Sequence, residues 1–157
     1  GKQLNAIYPD LVLFGLGIND AYKSIHRFDS LAYENNYDSL VKAIKLVNPD
    51  CAFIFLTNND SFYKGKYNPH GETVRRVMYR LANKHRSSVH DFYNLMGGRN
   101  SVPFWIRKGW AKADGIHMTP AGYGLQANWL AMAIENAFLE TKRKDANQGF
   151  EILNTLK

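Results

Sequence analysis

An open α/β fold, with a parallel sheet and helices on its faces, is what this sequence predicts. Two observations carry that prediction. Short continuous apolar runs at residues 11–15 and 51–57 alternate with longer stretches whose apolar residues recur at helical spacing. The resulting order is strand, helix, strand, helix, strand, loop, helix, which gives parallel strands joined by right-handed crossovers.

Leu11-Val12-Leu13-Phe14, closed by Gly15, reads as a strand buried on both faces. Gly15 to Asp20 follows as a loop. Gly17 lets the backbone bend tightly there, and Asn19 can point into the crevice beyond the sheet, where open α/β folds bind ligands. Residues 37–47 place Tyr37, Leu40, Val41, Ile44 and Val47 on one face, with Lys42 and Lys45 opposite. This is an amphipathic helix, stopped by Asn48-Pro49-Asp50. The second strand, residues 51–57, ends at Asn58-Asn59-Asp60, and the polar and aromatic residues up to Tyr67 read as a surface loop.

A helix opening at Asn68-Pro69 turns Val74, Val77, Met78, Leu81 and Ala82 inward. Arg75, Arg76, Arg80 and Lys84 lie largely off that stripe, as a solvated face. Ser88 to Phe92 is a third, shorter strand, with His90 a structural or edge residue. Met96-Gly97-Gly98 turns the chain into a short helix near Val102–Ile106. Trp105 and Trp110 either fill core there or line a groove, since flat aromatic faces suit sugar rings. The last helix runs from about Pro120 to Glu140, with Tyr123, Ala127, Leu130, Ile134 and Phe138 as its buried stripe. Residues 142–149 are polar and fray it, and residues 150–157 form a docking segment or a linker.

Composition sets wide bounds. The 157 residues suffice for one domain with a core, and 45% of them are hydrophobic, as in ordinary globular proteins. No apolar run approaches the ~18 residues of a membrane span. A single cysteine, Cys51, excludes an internal disulfide framework and a cysteine-rich zinc site. The net charge of +6 needs no nucleic acid to explain it; solubility is sufficient.

The chemistry concentrates in Asp114-Gly115-Ile116-His117. An Asp three residues before a His, on a loop, can turn back so that its carboxylate accepts from imidazole Nδ1–H. That fixes the tautomer and leaves Nε2 as a general base. Thr119-Pro120 then starts a helix, with Thr as N-cap and Pro at the first helical position. The base therefore stands at the mouth of a rigid element. No second His or carboxylate is paired with these two at a metal-binding spacing.

Pro9-Asp10-Leu11-Val12-Leu13 leading into Gly17-Ile18-Asn19-Asp20, and Asp114-Gly115-Ile116-His117-Met118-Thr119-Pro120-Ala121-Gly122-Tyr123, resemble the third and fifth sequence blocks of the GDSL/SGNH hydrolases. The resemblance covers roughly residues 8–140. It implies a three-layer α/β/α, flavodoxin-like sheet, with residues 1–141 as the carboxyl-terminal portion of one hydrolase domain and residues 142–157 as a polar tail or linker. It implies His117 as catalytic base, Asp114 as its orienting acid and Asn19 as an oxyanion-hole donor, with Gly17, Trp105 and Trp110 toward the substrate. It also implies a serine esterase that needs no metal or organic cofactor. The Met96-Gly97-Gly98 segment, followed by Trp and the Asp-Gly-Ile-His block, is similar to the branch that removes O-acetyl groups from polysaccharides. The family's usual export points to the periplasm or the exterior.

One part of that pattern is missing. The family nucleophile is a Ser after the first strand, ahead of the Gly-x-Asn-Asp block, yet the sixteen residues before Gly17 contain no Ser. Asp29-Ser30-Leu31 and Asp38-Ser39-Leu40 are poor substitutes, because neither follows a strand. The nucleophile is therefore expected upstream of Gly1, and the sheet is expected to lack its first strands. In the family's strand order 2-1-3-4-5 this leaves the strand at residues 11–15 as an open edge, suited to pairing with a second copy or with the missing segment. This chain alone is expected to be inactive. The alternative is a carbohydrate-binding module that keeps the fold without a nucleophile.

Overall fold

The computed structural model describes residues 2–155, with side chains described from residue 3 to residue 144. In chain order the elements are α1 (Lys2–Ile7), β1 (Leu11–Phe14), α2 (Ile18–Ala21), α3 (Ser30–Lys45), β2 (Ala52–Leu56), β3 (Phe62–Tyr63), β4 (Lys66–Tyr67), α4 (Gly71–His85), β5 (Ser88–His90), α5 (Phe92–Leu95), α6 (Val102–Arg107) and α7 (Pro120–Thr155). The expected α/β class holds. β1, β2 and β5 form a parallel sheet in the order β1-β2-β5, with Leu13 beside Ile54 and Phe55 beside Val89. β3 and β4 make a separate two-stranded hairpin.

One sheet face is well covered. Phe14, Phe53 and Phe55 point toward α3 and α4 and meet Tyr37, Val41, Ile44, Val74, Val77, Met78 and Leu81 in a single core. The Phe14 ring stacks on those of Phe53 and Phe55, with centroids 5.7 and 5.3 Å away, and Tyr37 meets Phe14 edge-on. The inner stripe expected for α4 is buried at every one of its five positions. α3 starts seven residues before the expected boundary, because Asp29 caps it by accepting from the Leu31 and Ala32 amides. The extra turns add Tyr33 to the core, whereas Leu40 is exposed.

The other face is partly bare, and here the sequence reading needs correction. β1 is not buried on both faces: Leu11 and Leu13 remain 44% and 43% exposed. As expected for an edge, β1 has a neighbour on one side only among the described residues. The stripe expected to be buried on α7 is also largely open. Tyr123, Ala127, Ile134 and Phe138 are exposed, and Leu130 is half-buried. α7 instead docks through Gly122, Leu125 and Trp129, against Phe92, Trp105 and Met118. Its backbone continues as helix well past Glu140, so the fraying expected at residues 142–149 does not occur in the backbone. The docking role expected for residues 150–157 lies outside the described side chains.

Charge ties the two covering helices together. The buried Asp38 carboxylate on α3 meets Lys42 at 2.6 Å, Lys84 at 2.8 Å and His85 at 2.9 Å, the last two at the end of α4. The hydrogen bonds from Lys42, Lys84 and His85 hold this carboxyl far below the usual carboxylate range, against the effect of burial. A depressed carboxyl stabilises the fold fully above its unfolded value, near 3.9, and loses that contribution as pH falls below it. Asp38→Asn should therefore cost about 2 kcal/mol in urea unfolding at pH 7, a figure tempered by the solvent around both lysines. The difference from wild type should shrink toward pH 3.

The basic residues on the outside of α4 are mostly engaged. Arg75 pairs with Asp91 at 2.7 Å, Arg80 with Glu34 at 2.6 Å, and Lys84 with Asp38. This is a solvated, salt-bridged surface, as the sequence suggested.

Candidate active site

The parallel strands put the loops after β1 and β2 on one rim, because Phe14 and Phe55 are register partners just before them. The first loop carries Asn19. Its path is fixed from α3: Tyr37 donates to the Leu16 carbonyl at 2.6 Å, and Tyr33 reaches the same oxygen at 3.4 Å. Burial pushes both phenols above their ordinary range, Tyr33 the further, so they remain donors. Gly17 lies at φ 109° and packs on the Tyr33 hydroxyl, where a Cβ would collide. Only glycine fits that turn. Gly17 thus shapes the loop from behind. Residues 18–20, expected as part of a loop, fall in the short helix α2, with Asn19 exposed in its first turn.

His117 sits on the connection from α6 to α7. Asp114 Oδ1 accepts from the Ile116 and His117 amides at 2.8 and 3.0 Å, closing the turn. The other oxygen, Oδ2, meets His117 Nδ1 at 2.9 Å. The Asp-to-imidazole contact anticipated from the spacing is therefore formed. The His117 and Ile116 amides, then the imidazole, hold the Asp114 carboxyl at about 2, so it is ionised at any working pH. The side chains of His117 and Asp114 are 60% and 42% exposed, which leaves Nε2 toward solvent. Behind them the Lys112 amide donates to the His117 carbonyl and Thr119 N to the Trp110 carbonyl. Thr119 Oγ1 accepts from the Gly122 amide, the N-cap expected for the last helix.

What joins the two halves is the segment Asn58–Asn68, whose residues 61–67 read from sequence as a surface loop. Asn59 Nδ2 donates to the Ile116 carbonyl at 3.1 Å, and the Phe62 amide donates to the Gly115 carbonyl at 2.7 Å. At its other end Asn68 Nδ2 donates to the Ala21 carbonyl at 3.2 Å, at the end of α2. One segment thus holds both the helix that carries Asn19 and the turn that carries His117. Asp60, Ser61 and Asn68 within it are buried. Their polarity hid them from sequence reasoning; the signal available was the Asn-Asn-Asp cluster at a strand's carboxyl end, where α/β sites form.

The aromatic expectations divide. Trp105 is not a groove residue: it is 1% exposed, its Nε1 donates to the Met96 carbonyl at 2.8 Å, and it packs edge-on against Phe92, Trp110 and Trp129. Trp110 is half-buried against Trp105 and Phe104. Neither substitute serine is placed for attack. Ser30 opens α3, and Ser39 lies inside it with its hydroxyl donating to the Asn35 carbonyl at 2.8 Å. Between the rim and α7 lies a cavity of about 210 Å³, lined by Gly15, Ile18, Leu56, Thr57, Asn58, Asn59, Tyr123 and Gln126.

Residues 1–125 match the model of the GDSL-like lipase/acylhydrolase family. Among solved structures the chain resembles a peptidoglycan O-acetylesterase, with 24% identity and a TM-score of 0.78 over 87% of this chain and 41% of that one. It also resembles a lipase/acylhydrolase from Enterococcus faecalis, with 20% identity and a TM-score of 0.62 over 87% of this chain and 68% of that one. An acetyl xylan esterase aligns at 14% identity and a TM-score of 0.62, over 82% of this chain and 69% of that one. These likenesses establish a shared fold, and the chain spans less than half the length of the first of them. No curated protein matches the sequence.

Proposed function

The chain belongs to the GDSL-like lipase/acylhydrolase family, and from that premise we propose that it forms the base-bearing part of a serine esterase acting on O-acetyl or similar esters of a carbohydrate. The observation that carries this reading is the 2.9 Å contact between Asp114 Oδ2 and His117 Nδ1, with Nε2 left toward solvent. In the proposed reaction a serine hydroxyl outside these 157 residues attacks the ester carbonyl. His117 Nε2 takes its proton and later returns one to the leaving alcohol. Asp114 steadies the imidazolium, and Asn19 donates to the developing oxyanion, a contact worth about 3 kcal/mol in comparable sites. Water then releases the acyl group by the same route. The carbohydrate assignment draws on the peptidoglycan and xylan esterases among the structural neighbours. A substrate of that kind places the protein in the periplasm or outside the cell.

The bare apolar surface suits the rest of such an enzyme. Leu11 and Leu13 on β1, with Tyr123, Ile134 and Phe138 on α7, are exposed, and Tyr123 lines the cavity at the rim. We place the nucleophile-bearing polypeptide there; a second copy pairing along β1 is the competing occupant, detectable as a dimer by light scattering. The reading is tested by p-nitrophenyl acetate hydrolysis in a protein that joins these residues to a Gly-Asp-Ser-bearing strand. Turnover there should vanish with His117→Ala, and turnover that survives this change would overturn the assignment. The 157-residue chain alone should give no burst.

A further inference from the structure

The Asp114–His117 turn is exposed, and an exposed turn of four residues has little to hold it in one place. Its two internal carbonyls, those of Gly115 and Ile116, are both taken by the segment after β2. Asn59 supplies one of these contacts by a side chain. Its Nδ2 has two protons, and both are used: one on the Asp60 carbonyl at 2.8 Å, the other on the Ile116 carbonyl at 3.1 Å. Both neighbours are acceptors, so only the amide nitrogen can face them. Gly115 lies at φ 67° with the Phe62 ring against its Cα, where a Cβ would collide. The turn is therefore seated on Phe62 and pinned by Asn59.

Asn59 is itself anchored. The next residue, Asp60, is 1% exposed, and its Oδ2 accepts from the Val102 amide at 3.1 Å, at the start of α6. The amides of Ser61, Ser101 and Asn100 also favour its ionised form, while burial pushes the carboxyl up overall. On the other side Asp60 N–H points at the Met96 sulfur at 3.0 Å. A buried carboxylate held at a helix start cannot rotate freely, so the Asn59 side chain beside it is held in register with Ile116.

We propose that Asn59 is a positioning residue for the base: its amide fixes the Ile116 carbonyl, and through it the Asp114–His117 turn in which the imidazole Nδ1–H faces the carboxylate. The proposal rests on the reading of His117 as the general base, and it concerns how that base is kept in one tautomer and one orientation. Asn59 touches neither substrate nor the reacting atoms in this role.

The test is imidazole ¹⁵N NMR on the 157-residue protein, which needs no turnover. In wild type the neutral His117 ring should be almost wholly the Nδ1–H tautomer. Asn59→Ala and Asn59→Leu should both reduce that fraction to about half, with amide signals away from the turn unchanged. Leu keeps the bulk and lacks the donor, so loss in Ala with retention in Leu would make the effect one of volume and overturn the proposal. Retention in both variants would overturn it as well. Global unfolding of both would mark Asn59 as a plain structural tether, again against it. A wild-type ring in the Nε2–H form would instead sink the general-base reading, and the proposal with it.

Discussion

Replacing Asp114 with Asn is expected to lower kcat about ten-thousandfold in the complete esterase while the fold survives. The two acceptor oxygens of Asp114 have separate duties. Oδ1 caps the turn through the Ile116 and His117 amides, and Oδ2 receives Nδ1–H. An Asn side chain keeps the first duty with its carbonyl oxygen. In the second position it offers an NH2, which can only face an unprotonated Nδ1. The proton moves to Nε2, and the base loses the lone pair it needs. His117→Ala removes the base itself and should cost at least as much. Because the Asp114 carboxyl sits at about 2, its own protonation does not set the acid limb of the rate profile. Measured between pH 3 and 9, wild type should show no inflection near pH 4 from Asp114, and Asp114→Asn should lower the whole curve. A variant within tenfold of wild type would mean that the carboxylate is not orienting the base.

How much of this was legible in the sequence depended on contrast along the chain. On α4, apolar Val74, Val77, Met78, Leu81 and Ala82 stand against Arg75, Arg76, Arg80 and Lys84, and the inner face follows from period alone. On α7, residues 121–134 carry no charge and are apolar nearly all round. Several stripes fit such a stretch, and the helix chose Gly122, Leu125 and Trp129 because those meet the cluster around Trp105. Much of the rest of α7 has no described partner to bury it. β1 misled for a related reason. A continuous apolar run says that both faces want cover, and the sheet supplies only one.

The Asp114–His117 contact was legible because it is local: three residues, one turn, two complementary groups. Asn59, Asp60 and Asn68 were not, because their partners, Ile116, Val102 and Ala21, lie 57, 42 and 47 residues away. Polarity in a loop suggests water, and nothing in spacing distinguishes a solvated Asn from one that satisfies a distant carbonyl.

Trp105→Ala should destabilise the protein by about 4 kcal/mol, enough to lower the melting temperature by roughly 10 °C in a chain of this size. The side chain is the largest of the fully buried ones and meets Phe92, Trp110 and Trp129 edge-on. Its removal leaves a cavity where α7 docks, and it strands the Met96 carbonyl without the Nε1–H that satisfies it. Trp105→Phe separates the two losses: it keeps an aromatic ring in the cluster, so about 1–2 kcal/mol should be lost, largely from the hydrogen bond. Thermal unfolding followed by circular dichroism gives both values. The sugar-groove role that the sequence allowed for Trp105 predicts the opposite pattern, an unchanged melting temperature with weakened glycan binding. Because α7 begins three residues after His117 and leans on this cluster, Trp105→Ala should also loosen the turn that carries the base, visible as faster amide exchange at Thr119 and Gly122.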